Sequence, residues 1–148
     1  MTPLTFFIAG CGSAGRHVAQ VVAQDGRGQI AALVAPQPHQ LNKQRELYPD
    51  ATSGNDFAAL LKETRPDVAV IAGPDHLHAE QTLLALAHGC HALVEKPLGI
   101  TMRACRAMID AARSSGAILA TAENYRRDPS NRLARAVLDA GLLGDPFL

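Results

Sequence analysis

In Leu4-Thr5-Phe6-Phe7-Ile8-Ala9-Gly10-Cys11-Gly12-Ser13-Ala14-Gly15 an apolar run gives way to a glycine turn. The run, Leu4 to Ala9, is broken only by Thr5 and has the length of a β-strand. The turn, Gly10 to Gly15, spells G-x-G-x-x-G and opens a helical segment, Ala14 to Gln24. Strand, glycine turn and helix, in that order, form the context in which this motif binds a dinucleotide. Gly10 permits the tight turn, Gly12 lets a pyrophosphate approach the backbone, and Gly15 lets helix and strand pack closely. Ser13 and Ala14 then open the helix, where free N–H groups and the helix dipole favour a phosphate. A nucleotide-sized methyl donor on a similar turn is the rival ligand. Phosphate binding of the Walker type is excluded, because the chain has no GxxxxGK[ST].

The same pattern continues outward. Apolar runs recur at Ile30 to Ala35, Asp67 to Ala72, Ala92 to Val94 and Ala117 to Ala122, with a short edge strand expected near 49 to 54. None alternates apolar with polar residues, which is the mark of strands buried on both faces of a parallel sheet. Between them lie helical segments at Asn55 to Thr64, Leu77 to His88 and Thr101 to Ser115, dominated like the first by Ala, Leu, Gln and Arg. Gly89 and Gly116 stand where helix C-termini take a left-handed residue. Strict alternation predicts right-handed βαβ units and a doubly wound, three-layer αβα fold of the Rossmann type. Residues 1–122 make this domain. In 123–148, Asp128-Pro129 reads as an N-cap with proline at the first helical position, starting a helix to about Ala140 that Gly141 could cap. Leu142 to Leu148 then runs toward another strand, as if a second domain began there and were cut short; a frayed natural C-terminus is the alternative.

Composition narrows the function. Lys plus Arg total 14 and Asp plus Glu total 14, a zero net charge that argues against a nucleic-acid surface. The chain has no Trp, which argues against base-stacking platforms. Its three cysteines, Cys11, Cys90 and Cys105, are odd in number and include no Cys-x-x-Cys pair, which predicts a reduced, cytoplasmic protein without structural zinc. No apolar run reaches membrane-spanning length, and the N-terminus lacks the pattern of a signal peptide.

Two positions refine the site. An acidic residue about 20 positions beyond the glycines ordinarily binds the ribose 2′-OH. Counting on from Gly15 reaches Ala35, which has no carboxylate to repel a 2′-phosphate. NADP is therefore permitted beside NAD, although the nearest cations are Lys43 and Arg45. Glu95-Lys96-Pro97 follows the fourth clear strand, and open α/β sheets bind ligands at the carboxyl ends of their strands. Gly10, Ala35, Gly73 and Lys96 all fall at such ends. Spacing alone leaves Lys96 open between a solvated surface lysine and a group that hydrogen-bonds a substrate hydroxyl and shares its proton. Pro97 holds Lys96 in extended geometry, and a cis bond between them is one of its two options.

Taken together, Gly10 to Gly15, Pro74-Asp75-His76-Leu77-His78-Ala79-Glu80, His91-Ala92-Leu93-Val94-Glu95-Lys96-Pro97-Leu98 and Asn124-Tyr125-Arg126 resemble the Gfo/Idh/MocA oxidoreductases. The resemblance implies a Rossmann domain followed by an α/β domain with an open sheet, and hydride transfer with sugars, cyclitols and similar polyols. It implies that Lys96 is the catalytic lysine. It places cofactor contacts at Gly10, Gly12, Ser13, Ala14, Gly15, Ala35, Ala72, Gly73, Pro74, His78, Glu95, Lys96, Pro97 and Asn124. This sequence departs from the family at Gly73, where threonine is usual, and at Ala35, where an acid is usual. Further catalytic groups of the family, commonly an Asp and a His, belong to its second domain, as does its usual dimer interface. The chain is accordingly expected to bind NAD or NADP, to meet its polyol substrate only with that domain present, and to oligomerise only through it. A non-catalytic nucleotide-binding module is the alternative.

The remaining polar groups have plainer readings. His88, Cys90 and His91 straddle a helix end and a strand start, so their side chains are expected to diverge, and no metal site is expected. Cys11 reads as a small filler. Arg103, Arg106 and Arg113 read as a solvated helix face.

Overall fold

A computed structural model describes residues 2–145. Among the described residues six strands, β1 (Leu4–Ala9), β2 (Gly28–Val34), β3 (Thr52–Gly54), β4 (Val68–Ile71), β5 (His91–Glu95) and β6 (Leu119–Ala122), form one sheet in the order β3-β2-β1-β4-β5-β6. Every pairing is parallel. The helices are α1 (Ser13–Asp25), α2 (Pro38–Leu47), α3 (Phe57–Thr64), α4 (His78–Ala87), α5 (Met102–Ser115) and α6 (Pro129–Asp139). The chain thus folds as the doubly wound Rossmann sheet that its alternation predicts, with the reversal of strand order between β1 and β4.

Successive side chains of a strand face opposite sides, so each strand feeds two cores. Phe7, Ala9, Ile71 and Val94 pack with Leu60 and Leu61 of α3, Ala85 and Leu86 of α4 and Ala112 of α5. Ile8, Leu33 and Val70 pack with Ala19 of α1 and Leu41 of α2 on the other face. Two buried faces are why the runs are continuously apolar. Phe7 and Phe57 meet edge to face with ring centroids 5.0 Å apart.

Helix ends follow their local chemistry. Asp56 and Thr101 cap α3 and α5 by accepting from the amides of Ala59 and Ala104. Asp128 does the same for α6, taking both Ser130 N and Asn131 N, with Pro129 following it as expected. Gly89 and Gly116 are left-handed, at φ 80° and 69°.

Three expectations need correction. Helix α2 was not anticipated from the sequence: it is polar, and one of its two buried residues is Gln44, which hides the apolar period. Residues 142–145 form a turn instead of the start of a strand, and 146–148 lie outside the described residues. The run expected to end at Ala35 leaves the ladder at Val34, although Ala35 N still donates to Gly54 O at 3.2 Å. No described helix is long and apolar enough to cross a membrane.

Candidate functional site

The sheet order sets the chain's exits from β2, β1, β4, β5 and β6 side by side, so Ala35, Gly10, Gly73, Lys96 and Asn124 stand along one rim. The centre of the rim is the glycine turn. Gly10 has φ 95°, and a Cβ there would lie 2.4 Å from Ala72 O and 2.6 Å from Gly73 N. Gly15 is closed still more tightly, with a Cβ position 1.8 Å from Gly10 O. Gly12 is different: its φ is −72°, and a Cβ would meet nothing within 4 Å. The fold itself requires glycine at 10 and 15 and leaves the space above Gly12 open. Gly12 also heads α1, where no side chain caps the helix and no acidic residue occupies the first turn. The amides of the first turn, at Ser13, Ala14 and Gly15, therefore point to an uncapped, electropositive end suited to phosphate.

Around this cradle the predicted residues separate. Cys11 is 1 % exposed, its Sγ 3.7 Å from Val34 O, and burial pushes the thiol up to about 11. It is a filler and no nucleophile at neutral pH. Ala35 is also buried, in the cluster with Cys11 and Leu41, so its methyl packs inward and offers the rim nothing polar. Arg45 donates to the hydroxyl and carbonyl oxygens of Ser53 and is engaged with β3. Gly73 and Pro74 leave β4 beside the glycine turn, and a Cβ at Gly73 would meet only Gln81 Oε1, at 3.8 Å.

Lys96 is exposed at the end of β5, its amide donating to Glu95 Oε2 at 3.0 Å, and the Lys96-Pro97 bond is cis. Asn124 is exposed in a 3-10 turn just past β6. His78 departs most from expectation. It is wholly buried, with Nδ1 2.7 Å from Pro97 O and Nε2 3.2 Å from Gly73 O, so its ring faces protein carbonyls and not the open rim. Beyond the anticipated set, a cavity of about 470 Å³ lies between the start of α3 and α4, lined by Asn55, Asp56, Leu77, Glu80 and Gln81 among others. Gln81 Oε1 is buried there without a hydrogen-bond partner among the described residues. Only the packing of α4 against the turn brings Gln81 to Gly73, and sequence carries no signal of it. Among the described residues no group of three His, Cys, Asp or Glu is placed to hold a metal.

An open sheet whose order reverses beside an uncapped glycine turn defines a dinucleotide-binding Rossmann domain. The model of the Gfo/Idh/MocA family, an oxidoreductase family with an NAD-binding Rossmann fold, matches residues 4–123, and the chain belongs to that family as its NAD-binding domain. The chain is similar to D-glucoside 3-dehydrogenase of Escherichia coli (strain K12), with 30% identity over 99% of this chain and 42% of that protein. It is 36% identical to levoglucosan dehydrogenase of Pseudarthrobacter phenanthrenivorans over 62% of this chain and 24% of that protein. The structure of myo-inositol 2-dehydrogenase from Lactobacillus plantarum superimposes with a TM-score of 0.89 at 25% identity, over 97% of this chain and 43% of that one. The chain thus spans under half the length of each of these relatives.

Proposed function

We propose that this chain is the cofactor half of an NAD(P)-dependent dehydrogenase that oxidises a carbinol carbon of a sugar or cyclitol, or reduces the corresponding ketone. The observation that carries the reading is the open cradle at Gly12. The glycine there meets no need of the fold, since its φ is ordinary and a Cβ would meet nothing within 4 Å. What excludes a side chain is then a ligand that approaches the backbone, as a pyrophosphate does.

Bound nicotinamide dinucleotide supplies the hydride acceptor or donor. The chain's own residues do the rest of the work assigned to this half. The first-turn amides of α1 hold phosphate, with Gly10 and Gly15 shaping the turn. Ala72, Gly73 and Pro74 wall the cofactor from β4, and Glu95, Lys96, Pro97 and Asn124 from β5 and β6. Lys96 would hydrogen-bond the substrate hydroxyl and take the proton from its oxygen as the carbinol carbon is oxidised, or return it in the reverse direction. The sugar or cyclitol class is suggested by the relatives named above.

Without a carboxylate at Ala35, discrimination against the 2′-phosphate of NADP is weak. The second wall of the substrate site belongs to a further domain. Its docking surface is the open edge of β6 and the apolar stripe of α6, where Leu133 and Leu138 stand exposed. Residues 123–145 form that connection. Cys11, Cys90 and Cys105 are free, which suits the reducing cytoplasm. Calorimetric titration of the chain with NADH and NADPH tests the reading. Saturable binding of both, lost in Gly12→Val, is expected; absence of binding by the wild-type chain overturns it.

A further inference from the structure

One side chain lies between two turns that flank the crevice. Gly73 follows β4 and Pro97 follows β5, neighbouring strands in the sheet. His78, the first residue of α4, presents Nδ1 at 2.7 Å from Pro97 O and Nε2 at 3.2 Å from Gly73 O. The ring is 0 % exposed. A neutral imidazole has one N–H; we assign it to Nδ1, the shorter contact, because two facing lone pairs would not close to that distance, and Nε2 then only packs against Gly73 O. The buried ring needs an acceptor for that N–H, and Pro97 O supplies it.

The position of this strut matters because of what Pro97 follows. A dinucleotide on a doubly wound sheet spans two mononucleotide-binding halves. The phosphates lie at the β1 turn, and β5 belongs to the half opposite β2. Lys96, on the turn after β5, therefore serves the nicotinamide end. Its own side chain is exposed and forms no ion pair among the described residues, so nothing at its tip fixes it. The backbone beneath it is held by Glu95 on one side and by the Pro97 carbonyl on the other.

We infer that His78 is a positioning residue: by donating Nδ1–H to Pro97 O it pins the Lys96-Pro97 turn to the start of α4, beside the exit of β4, and so shapes the nicotinamide end of the crevice without touching the ligand. This rests on the dinucleotide reading above for its ligand consequence, though not for the strut itself. Shape and chemistry of substitutes separate the two contacts. Asparagine places an amide N–H where Nδ1 stands, glutamine places one where Nε2 stands, and leucine fills the volume with neither.

The test uses the 148-residue chain and two measurements. Amide hydrogen exchange, without ligand, reads the turn at residues 95–99. It is expected to quicken by about tenfold or more in His78→Leu and His78→Gln and to stay near wild type in His78→Asn. Affinities for NADH and for ADP-ribose, which lacks the nicotinamide, read the consequence. NADH binding is expected to weaken by about tenfold in His78→Leu and to be restored in His78→Asn, with ADP-ribose changed by less than about twofold throughout. Should His78→Leu fail to fold, the asparagine and glutamine variants carry the comparison. Equal behaviour of those two variants in exchange overturns the strut, as does unaltered exchange in all variants. Parallel loss of NADH and ADP-ribose overturns the local role in favour of general loosening. A wild-type chain that binds neither ligand overturns the dinucleotide reading instead, and the exchange comparison still decides the strut.

Discussion

The Cα of Gly15 lies so close against the carbonyl oxygen of Gly10 that a Cβ added to it would stand 1.8 Å from that oxygen. Backbone faces backbone there, so no rotamer change relieves the contact. Gly15→Ala is expected to destabilise the domain by about 3 kcal/mol or more, at or beyond the upper end of ordinary overpacking. Gly10→Ala is expected to behave similarly, because it adds a left-handed φ of 95° to its own clash with Ala72 O. Urea denaturation of both variants checks this.

Gly12 obeys a different constraint. Gly12→Val is expected to fold with a melting temperature near wild type, since its Cβ meets nothing within 4 Å. It is expected to lose NADH affinity by at least about tenfold, or about 1.4 kcal/mol. Calorimetry beside a thermal scan separates the two effects. Unchanged affinity would remove the glycine turn from the binding site.

Cofactor choice is read at Ala35. The wild-type chain is expected to bind NADH and NADPH within about a hundredfold of each other. Because the methyl of Ala35 turns into the core, a carboxylate in Ala35→Asp is expected to point away from the ribose and to leave the ratio of the two affinities near wild type. Because position 35 is 1 % exposed, the same substitution is expected to cost about 1–3 kcal/mol of stability. The ratio of the two dissociation constants reports the first effect and denaturation reports the second.

Asp67 ties the start of β4 to the start of β1. Its Oδ2 accepts from Thr5 N and Thr5 Oγ1, both at 2.7 Å, and these bonds hold its carboxyl below the usual carboxylate range. A carboxylate depressed in the folded state stabilises above its unfolded pKa and loses that contribution as pH falls through the folded value. The stability difference between wild type and Asp67→Asn is therefore expected to be constant from neutral pH down to the ordinary carboxylate range and to vanish below it. The group is exposed, so the difference should not exceed about 1 kcal/mol. Denaturation midpoints of both proteins across an acid series measure it.

Lys96 is tested where a substrate can be held. In a protein that carries a second domain, Lys96→Ala is expected to lower the rate by about 10²–10⁴-fold, the range of a lost acid–base group. Cofactor affinity should change far less. NAD(P)H absorbance with a panel of sugars and inositols follows the reaction, and an unchanged rate would return Lys96 to the solvated surface.

Much of this molecule is legible along the chain because its determinants are local. Continuous apolar runs divided by helical segments require a sheet covered on both faces, and strand followed by glycine turn and helix places the phosphate cradle at β1. Asp128-Pro129 announces α6 by capping chemistry within a few residues. Helix α2 escapes that logic, since its buried Gln44 breaks the apolar period. Within the cradle, the spacing of Gly10, Gly12 and Gly15 shows three glycines without measuring how each is constrained. Packing separates them: Ala72 and the Gly10 carbonyl close on two, and nothing closes on the third. Packing also turns Ala35 into the core and His78 onto Gly73 and Pro97, residues 5 and 19 positions away. Local propensity depends on a residue and its near neighbours, whereas burial and hydrogen-bond partners depend on which strands become adjacent, and that adjacency exists only once the whole sheet has assembled.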